Sequence, residues 1–110
     1  MKILVACDME GITGVVHWDH VDPSHAEYPR FRRLMTGDVN AAVEGAFDAR
    51  ADIVVVSDGH SYGRNILIES LDPRAVLNSG SPSPLYVYWK VCVMFFPSLY
   101  VRELSRFSAS

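Results

Sequence analysis

Lys2-Ile3-Leu4-Val5-Ala6-Cys7-Asp8-Met9-Glu10-Gly11-Ile12-Thr13-Gly14 decides how this chain reads. After Lys2 the run to Cys7 is apolar without alternation, the pattern of a strand covered on both faces in a parallel sheet. Two carboxylates, Asp8 and Glu10, follow at once, and Gly11 and Gly14 turn the chain. In open α/β sheets ligands bind at the carboxyl ends of the strands. Two acids held there on a rigid element suit a divalent cation, which takes oxygen ligands. A second apolar run, Ile53-Val54-Val55-Val56, ends in Ser57-Asp58-Gly59-His60 and brings an imidazole to the end of a second strand.

Between these strands the sequence reads as loop, then helix. Residues 8–25 carry two glycines, Pro23 and a run of polar residues. From Tyr28 to Arg50, Phe31, Leu34, Met35, Val39, Ala42, Val43, Ala46 and Phe47 recur at steps of three and four, the spacing of one helical face. Gly37 offers a break there, with Thr36 or Asp38 to cap a second piece. Beyond Ile53–Ser57, a short helix is expected over Asn65–Leu71, closed by Asp72-Pro73, and a short third strand over Ala75–Leu77. Gly80, Pro82 and Pro84 mark a turn-rich stretch.

Strand, helix, strand, helix, strand with short connections predicts an α/β fold: three-layer, with a mostly parallel sheet, flanking helices and an incomplete domain. Right-handed crossover puts the ends of the first two strands on one sheet edge. Asp8, Glu10 and His60 become candidates for one metal site.

The bulk composition excludes several classes. At 110 residues the chain is one domain at most. A formal charge of −3 gives no basic footprint for nucleic acid. Cys7 and Cys92 form no motif, and Cys7 reads as a small buried hydrophobe. The first residues reach acids too soon for a signal peptide, so the cytoplasm is the expected location.

The composition shifts near residue 84. Residues 1–84 hold twelve of the thirteen acids and all four histidines, and with seven basic residues carry −5. Residues 85–110 hold one acid, Glu103, three basic residues and seven of the twelve aromatics, and carry +2. The expected division is an α/β unit over 1–84 and an atypical aromatic-rich tail over 85–110. The apolar stretch of the tail is shorter than the about 20 residues of a membrane span, and Lys90 interrupts it. The tail reads as a buried strand with a short helix, as a membrane- or partner-binding segment, or as a truncated or frame-shifted continuation. The composition break favours the last.

Each candidate has a plainer reading. Asp8 could cap the following turn, Glu10 could be a solvated loop acid, and Gly11 and Gly14 could be flexible loop glycines. A histidine alone is more often structural than a ligand. What raises His60 is its place behind a buried strand in Asp58-Gly59-His60, with Asp58 placed to orient the imidazole. Asp58 could instead pair with Ser61 or a backbone amide. His17, His20 and His25 have metal-like spacing but no evident partner ligands, and read as solvated or lid residues. Two carboxylates and one imidazole do not complete a two-metal site, which needs further protein ligands and an open position for water.

Taken together, Asp8-Met9-Glu10-Gly11-Ile12-Thr13-Gly14, Met35-Thr36, Val55-Val56-Ser57-Asp58-Gly59-His60, Asn65 and Leu77-Asn78-Ser79-Gly80 resemble the bacterial D-aminopeptidases of the DppA type over residues 1–84. The resemblance implies a cytoplasmic metallopeptidase that removes N-terminal D-amino acids from short peptides. It implies two zinc ions, with Asp8 bridging them, Glu10 on one and His60 on the other. It also implies assembly into a homo-oligomeric ring with an enclosed chamber. Family members are more than twice as long, and a further His and Glu ligand and a catalytic His lie in their later part. After Pro84 this sequence has no histidine, and its one acid is Glu103. No catalytic residue is therefore assigned here, and the 110 residues alone are expected to be inactive.

Two other classes compete. A magnesium phosphohydrolase of the haloacid-dehalogenase type also opens on a strand and Asp-x-Asp-Gly-Thr. Here the second acid is Glu10, Ile12 precedes Thr13, no phosphate-binding lysine follows the second strand, and His60 has no role. A non-catalytic α/β module would use the aromatic tail as a contact surface. Metal analysis separates the three: zinc, magnesium or none.

Overall fold

The computed structural model describes residues 1–81 and the backbone of one later strand, Leu99–Glu103. Strand β1 (Lys2–Cys7) lies between β2 (Ile53–Asp58) and β4 (Leu99–Glu103), and β3 (Val76–Asn78) extends the sheet beyond β2, giving the order β3-β2-β1-β4. The first three strands are parallel, and β4 runs antiparallel to β1, from Ile3 opposite Glu103 to Cys7 opposite Leu99. One long helix, α1 (Tyr28–Asp48), connects β1 to β2, preceded by a 3-10 turn at Trp18–Val21. This is the expected α/β arrangement around a mostly parallel sheet. The expectations for residues 85–98 and 104–110 of the tail, and for Pro82 and Pro84, lie outside the described residues.

β1 forms the centre because nothing in it after Lys2 needs water. Leu4, Val5, Ala6 and Cys7 are each at most 1% exposed. Its two faces differ in partner. Ile3, Val5 and Cys7 join Val54 and Val56 of β2 in a core with Phe31, Met35, Val39 and Val43 of α1. Those four recur every fourth residue and form the stripe that seats the helix. Met35, Val39 and Val43 are completely buried, each worth about 1.5–3 kcal/mol in apolar transfer.

α1 is unbroken, in contrast to the break considered at Gly37. Gly37 faces open space, so its missing side chain costs only helix propensity, about 1 kcal/mol. The two residues considered as caps are used elsewhere. Thr36 donates to the Arg32 carbonyl at 2.9 Å and accepts from the Leu67 amide at 3.0 Å. Asp38 accepts from the Thr13 amide and hydroxyl at 2.9 and 3.0 Å and so ties the glycine loop to the helix. Pro29 supplies the fixed φ that suits a first turn. At the other end the Arg50 amide bonds the Phe47 carbonyl, and the Ala51 amide bonds the Ala46 carbonyl. That pair of bonds is a Schellman motif, with Arg50 itself left-handed at φ 71°.

The helix expected over Asn65–Leu71 does not form; the segment is a series of turns. Its backbone groups are taken by side chains on neighbouring elements. The Asn65 and Ile66 amides bond Asp58, the Leu67 amide bonds Thr36, and Asn40 of α1 clasps the Ser70 carbonyl and the Asp72 amide at 2.8 and 2.7 Å. Seven residues shortly ahead of a proline cannot repay helix nucleation against such partners. The third strand begins one residue later than expected, at Val76.

The left-handed Arg50 provides a test of the helix end. Arg50→Gly is expected to raise stability by about 1 kcal/mol, because glycine adopts this backbone without the steric cost borne by arginine. Chemical denaturation of the two proteins measures it; a loss of stability would contradict the Schellman end.

Candidate metal centre

The parallel register sets up the site. Cys7 pairs with Asp58, and the Gly59 amide continues the ladder to the Cys7 carbonyl at 2.8 Å. Asp8 and His60 therefore leave the sheet side by side. Met9 is completely buried and Ile12 nearly so, which anchors the segment in the core and leaves Asp8 and Glu10 half-exposed above it. The His60 Nδ1 lies 3.0 Å from Asp8 Oδ1 and 3.0 Å from Glu10 Oε1. One ligand atom from each of the three residues falls within 4.8 Å of the others. The fold brings together the whole candidate set.

The other ring nitrogen fixes the chemistry. His60 Nε2 is 2.7 Å from the Val21 carbonyl, an acceptor only, so Nε2 carries a proton. In a neutral ring Nδ1 then presents a lone pair to two carboxylates. Three acceptors facing one another need a positive charge among them. The alternative is protonation, and the pKa values move that way. Burial, and then the charge of Asp8, push Glu10 above its ordinary 4.5, with His60 opposing. Burial lowers the His60 pKa, but the bonds to Asp8 and Val21 and the charges of Glu10 and Asp8 outweigh it and raise the value above 6.5. A divalent cation satisfies the same three groups without protons. Two carboxylates and an imidazole with its far N–H bonded to a carbonyl are a fitting donor set.

The supports of His60 differ from the expectation for Asp58. Asp58 is 4% exposed, and its hydrogen bonds run to Asn65 and Ile66 rather than to the imidazole. Its carboxylate accepts from the Asn65 amide at 2.6 Å, the Ile66 amide at 2.8 Å and Asn65 Nδ2 at 2.8 Å. Asn65 Nδ2 also donates to the His60 carbonyl at 2.6 Å, so Asp58 holds the His60 backbone through Asn65. Gly63 closes the turn: its φ is 70°, and a Cβ there would lie 2.7 Å from the Gly80 carbonyl oxygen.

Val21 is placed by the loop histidines. Of the two readings for His20, solvated or part of a lid, solvation does not hold; it stacks on Phe31 at 4.0 Å, and its Nδ1 accepts from the Val16 amide. This anchors the 3-10 turn that presents the Val21 carbonyl. His17 and His25 sit in the open, each close to Asp19 at 3.3 and 3.4 Å. Cys7 is fully buried and its thiol is pushed well up by burial and by Asp58 and Asp8, so it stays neutral in the core. The contribution of Val21 has no sequence signature, because a backbone carbonyl is common to every residue. Asn65 stood within the quoted motifs, but its clamp on His60 depends on the turn after β2.

Comparison with known proteins bears on the family and the fold. The sequence model of the D-aminopeptidase family matches residues 1–94. A D-aminopeptidase of Bacillus subtilis (strain 168) is 38% identical over 84 residues, covering 76% of this chain and 31% of that protein. The solved structure described as the Zn-dependent D-aminopeptidase DppA from Bacillus subtilis, a self-compartmentalizing protease, superposes with a TM-score of 0.71 at 38% identity. That match covers 74% of this chain and 30% of the other. The chain thus spans about a third of the length of these relatives. By the extent of the family match and the shared fold, the chain belongs to the D-aminopeptidase family.

Proposed function

We propose that this chain carries the amino-terminal share of a zinc centre that, in a complete protein, releases N-terminal D-amino acids from short peptides. The observation that supports it most is His60 Nδ1 at 3.0 Å from both Asp8 and Glu10, with Nε2 committed to Val21. The imidazole favours zinc over magnesium, which prefers all-oxygen coordination. The Zn-dependence of the Bacillus relative points the same way. In the complete centre two ions would be expected, and Asp8, Glu10 and His60 would be among the residues that hold them.

Within this reading Asp8, Glu10 and His60 hold the metal, and Val21 and Asn65 hold His60. Bound zinc supplies an activated water and polarises the substrate carbonyl. Glu10 gives up the proton that burial favours, and both carboxylates balance the charge of the ion. The Val21 carbonyl keeps the Nε2 proton in place, so Nδ1 remains the donor. A peptide is the expected substrate partner. Self-association into a ring is expected from the self-compartmentalizing relative, and the cytoplasm from the family resemblance. Neither nucleic acid nor membrane is an expected partner; no helix among the described residues is long and apolar enough to cross a membrane.

Zinc titration by calorimetry tests the ligand set. Asp8→Ala and His60→Ala are each expected to weaken binding by more than about a hundredfold, beyond the effect of losing an outer support. Equal affinity in wild type and variant would remove that residue from the set.

Proton competition adds a second readout. Glu10 and His60 both hold protons more firmly in the fold than free, so the metal must displace them. Zinc affinity is expected to fall by about tenfold per pH unit for each displaced proton as pH drops through the raised His60 value. By the same sign, the zinc-free chain loses stability as pH rises through those raised values. A zinc affinity independent of pH between the ordinary Glu and His values would contradict this.

The 110 residues alone are expected not to hydrolyse a D-alanyl peptide, even with zinc. Ions held by three residues are poorly positioned, and a displacement of about 1 Å costs on the order of a hundredfold. Turnover by monodisperse protein that disappears in His60→Ala would show that the set is already sufficient.

A further inference from the structure

A recess of about 280 Å³ opens beside the metal centre, lined by Pro23, Tyr28, Arg32, Ser61, Tyr62 and Arg64 among others. Its walls continue from the supports of His60. Ser61 is the next residue after His60, and Pro23 lies two residues beyond Val21. Two guanidiniums border it. Arg32 is fixed in place: Nε donates to the Asn65 carbonyl at 2.9 Å, Nη2 to the Arg64 carbonyl at 3.2 Å, and the group lies 5.7 Å from the Tyr28 ring. Arg64 lies over the Tyr62 ring at 5.7 Å, on an exposed side chain.

Among the described residues neither guanidinium is paired with a carboxylate; the ion pairs lie elsewhere. Asp58, the acid within electrostatic reach of Tyr28, has both oxygens committed to Asn65 and Ile66. Burial raises the Tyr28 pKa, while Arg32 and Arg64 both pull it down, so both positive charges act at one hydroxyl. Two like charges bordering one recess are stabilised by an anion placed between them. The guanidinium fork of Arg64 matches a carboxylate in shape as well as charge, Arg32 adds its charge from a fixed position, and the Ser61 hydroxyl adds a donor.

We infer that the recess is an oxyanion subsite that takes the terminal carboxylate of a short peptide. The peptide as owner of that carboxylate rests on the proposed peptidase function; the anion subsite rests on the two arginines. An extended peptide spans about 3.3–3.6 Å per residue. A subsite whose wall begins next to His60 therefore fits a chain of a few residues and gives a physical reason for short substrates.

The test uses the 110-residue chain, labelled with nitrogen-15, with and without zinc. The Nε–H signals of Arg32 and Arg64 are followed during titration with D-alanyl-glycine, with its C-terminal amide and with inorganic phosphate. The free acid is expected to move both signals to saturation and to bind about tenfold tighter than the amide, the scale of a charge-assisted bond. Arg64→Ala should remove that preference, and Arg64→Lys should restore part of it; backbone amide spectra confirm that both variants fold. Equal binding of acid and amide would overturn the inference, as would phosphate binding without a response to the free acid. If zinc binds but neither arginine responds, the subsite falls and the metal centre stands. If the arginines respond to the free acid but zinc does not bind, the subsite stands and the zinc reading falls.

Discussion

The parallel pairing of β1 with β2, ending with Cys7 opposite Asp58, is the constraint on which the rest depends. After an exposed first residue both strands are buried, Val55 partly so, and a slip of one residue would turn buried side chains to the wrong face. With the register fixed, the next residues of each chain have little freedom. Asp8 emerges beside Gly59, and the imidazole of His60 meets the two acids that follow β1. The core stripe of α1 supports the same outcome from below, through Met35, Val39 and Val43.

Around that meeting point polar groups hold one another in sequence. Asp58 is saturated by backbone and amide N–H groups, so a buried carboxylate is tolerated and becomes a clamp. Asn65 passes the clamp to the His60 carbonyl, and the Tyr28 hydroxyl bonds Asn65 Oδ1 from the first turn of α1. From the other side His20, stacked on Phe31, steadies the turn that offers the Val21 carbonyl. The backbone and ring of His60 are thus fixed by separate elements. What remains unbalanced is the face where Nδ1 meets two carboxylates, and that imbalance is the chemical content of the site.

Much of this was legible in the sequence because it rests on local periodicity. The continuous apolar runs at β1 and β2, the four-residue recurrence from Phe31 to Val43, and the acids and imidazole directly behind the strands needed no tertiary information. Crossover handedness then brought Asp8, Glu10 and His60 together. Features made by distant partners were not legible. Asn65–Leu71 has a helical composition, but Asp58, Thr36 and Asn40 take its backbone groups. Arg50 takes the left-handed position where glycine is the usual signal. His20 looked like its loop neighbours until Phe31 covered it. The partner of His60 is a carbonyl, and the role of Asp58 depends on which way the turn after β2 folds.

In the proposed centre His60 donates to a metal through Nδ1 while Nε2 keeps its proton on Val21. Long-range proton–nitrogen correlation spectra of the zinc-loaded, nitrogen-15-labelled chain report the state of each ring nitrogen directly. His60 is expected to show a protonated Nε2 and a metal-bound Nδ1, with the ring moving from a more protonated form as zinc is added. Zinc bound through Nε2, or a His60 ring that does not change when the ion binds, would contradict it.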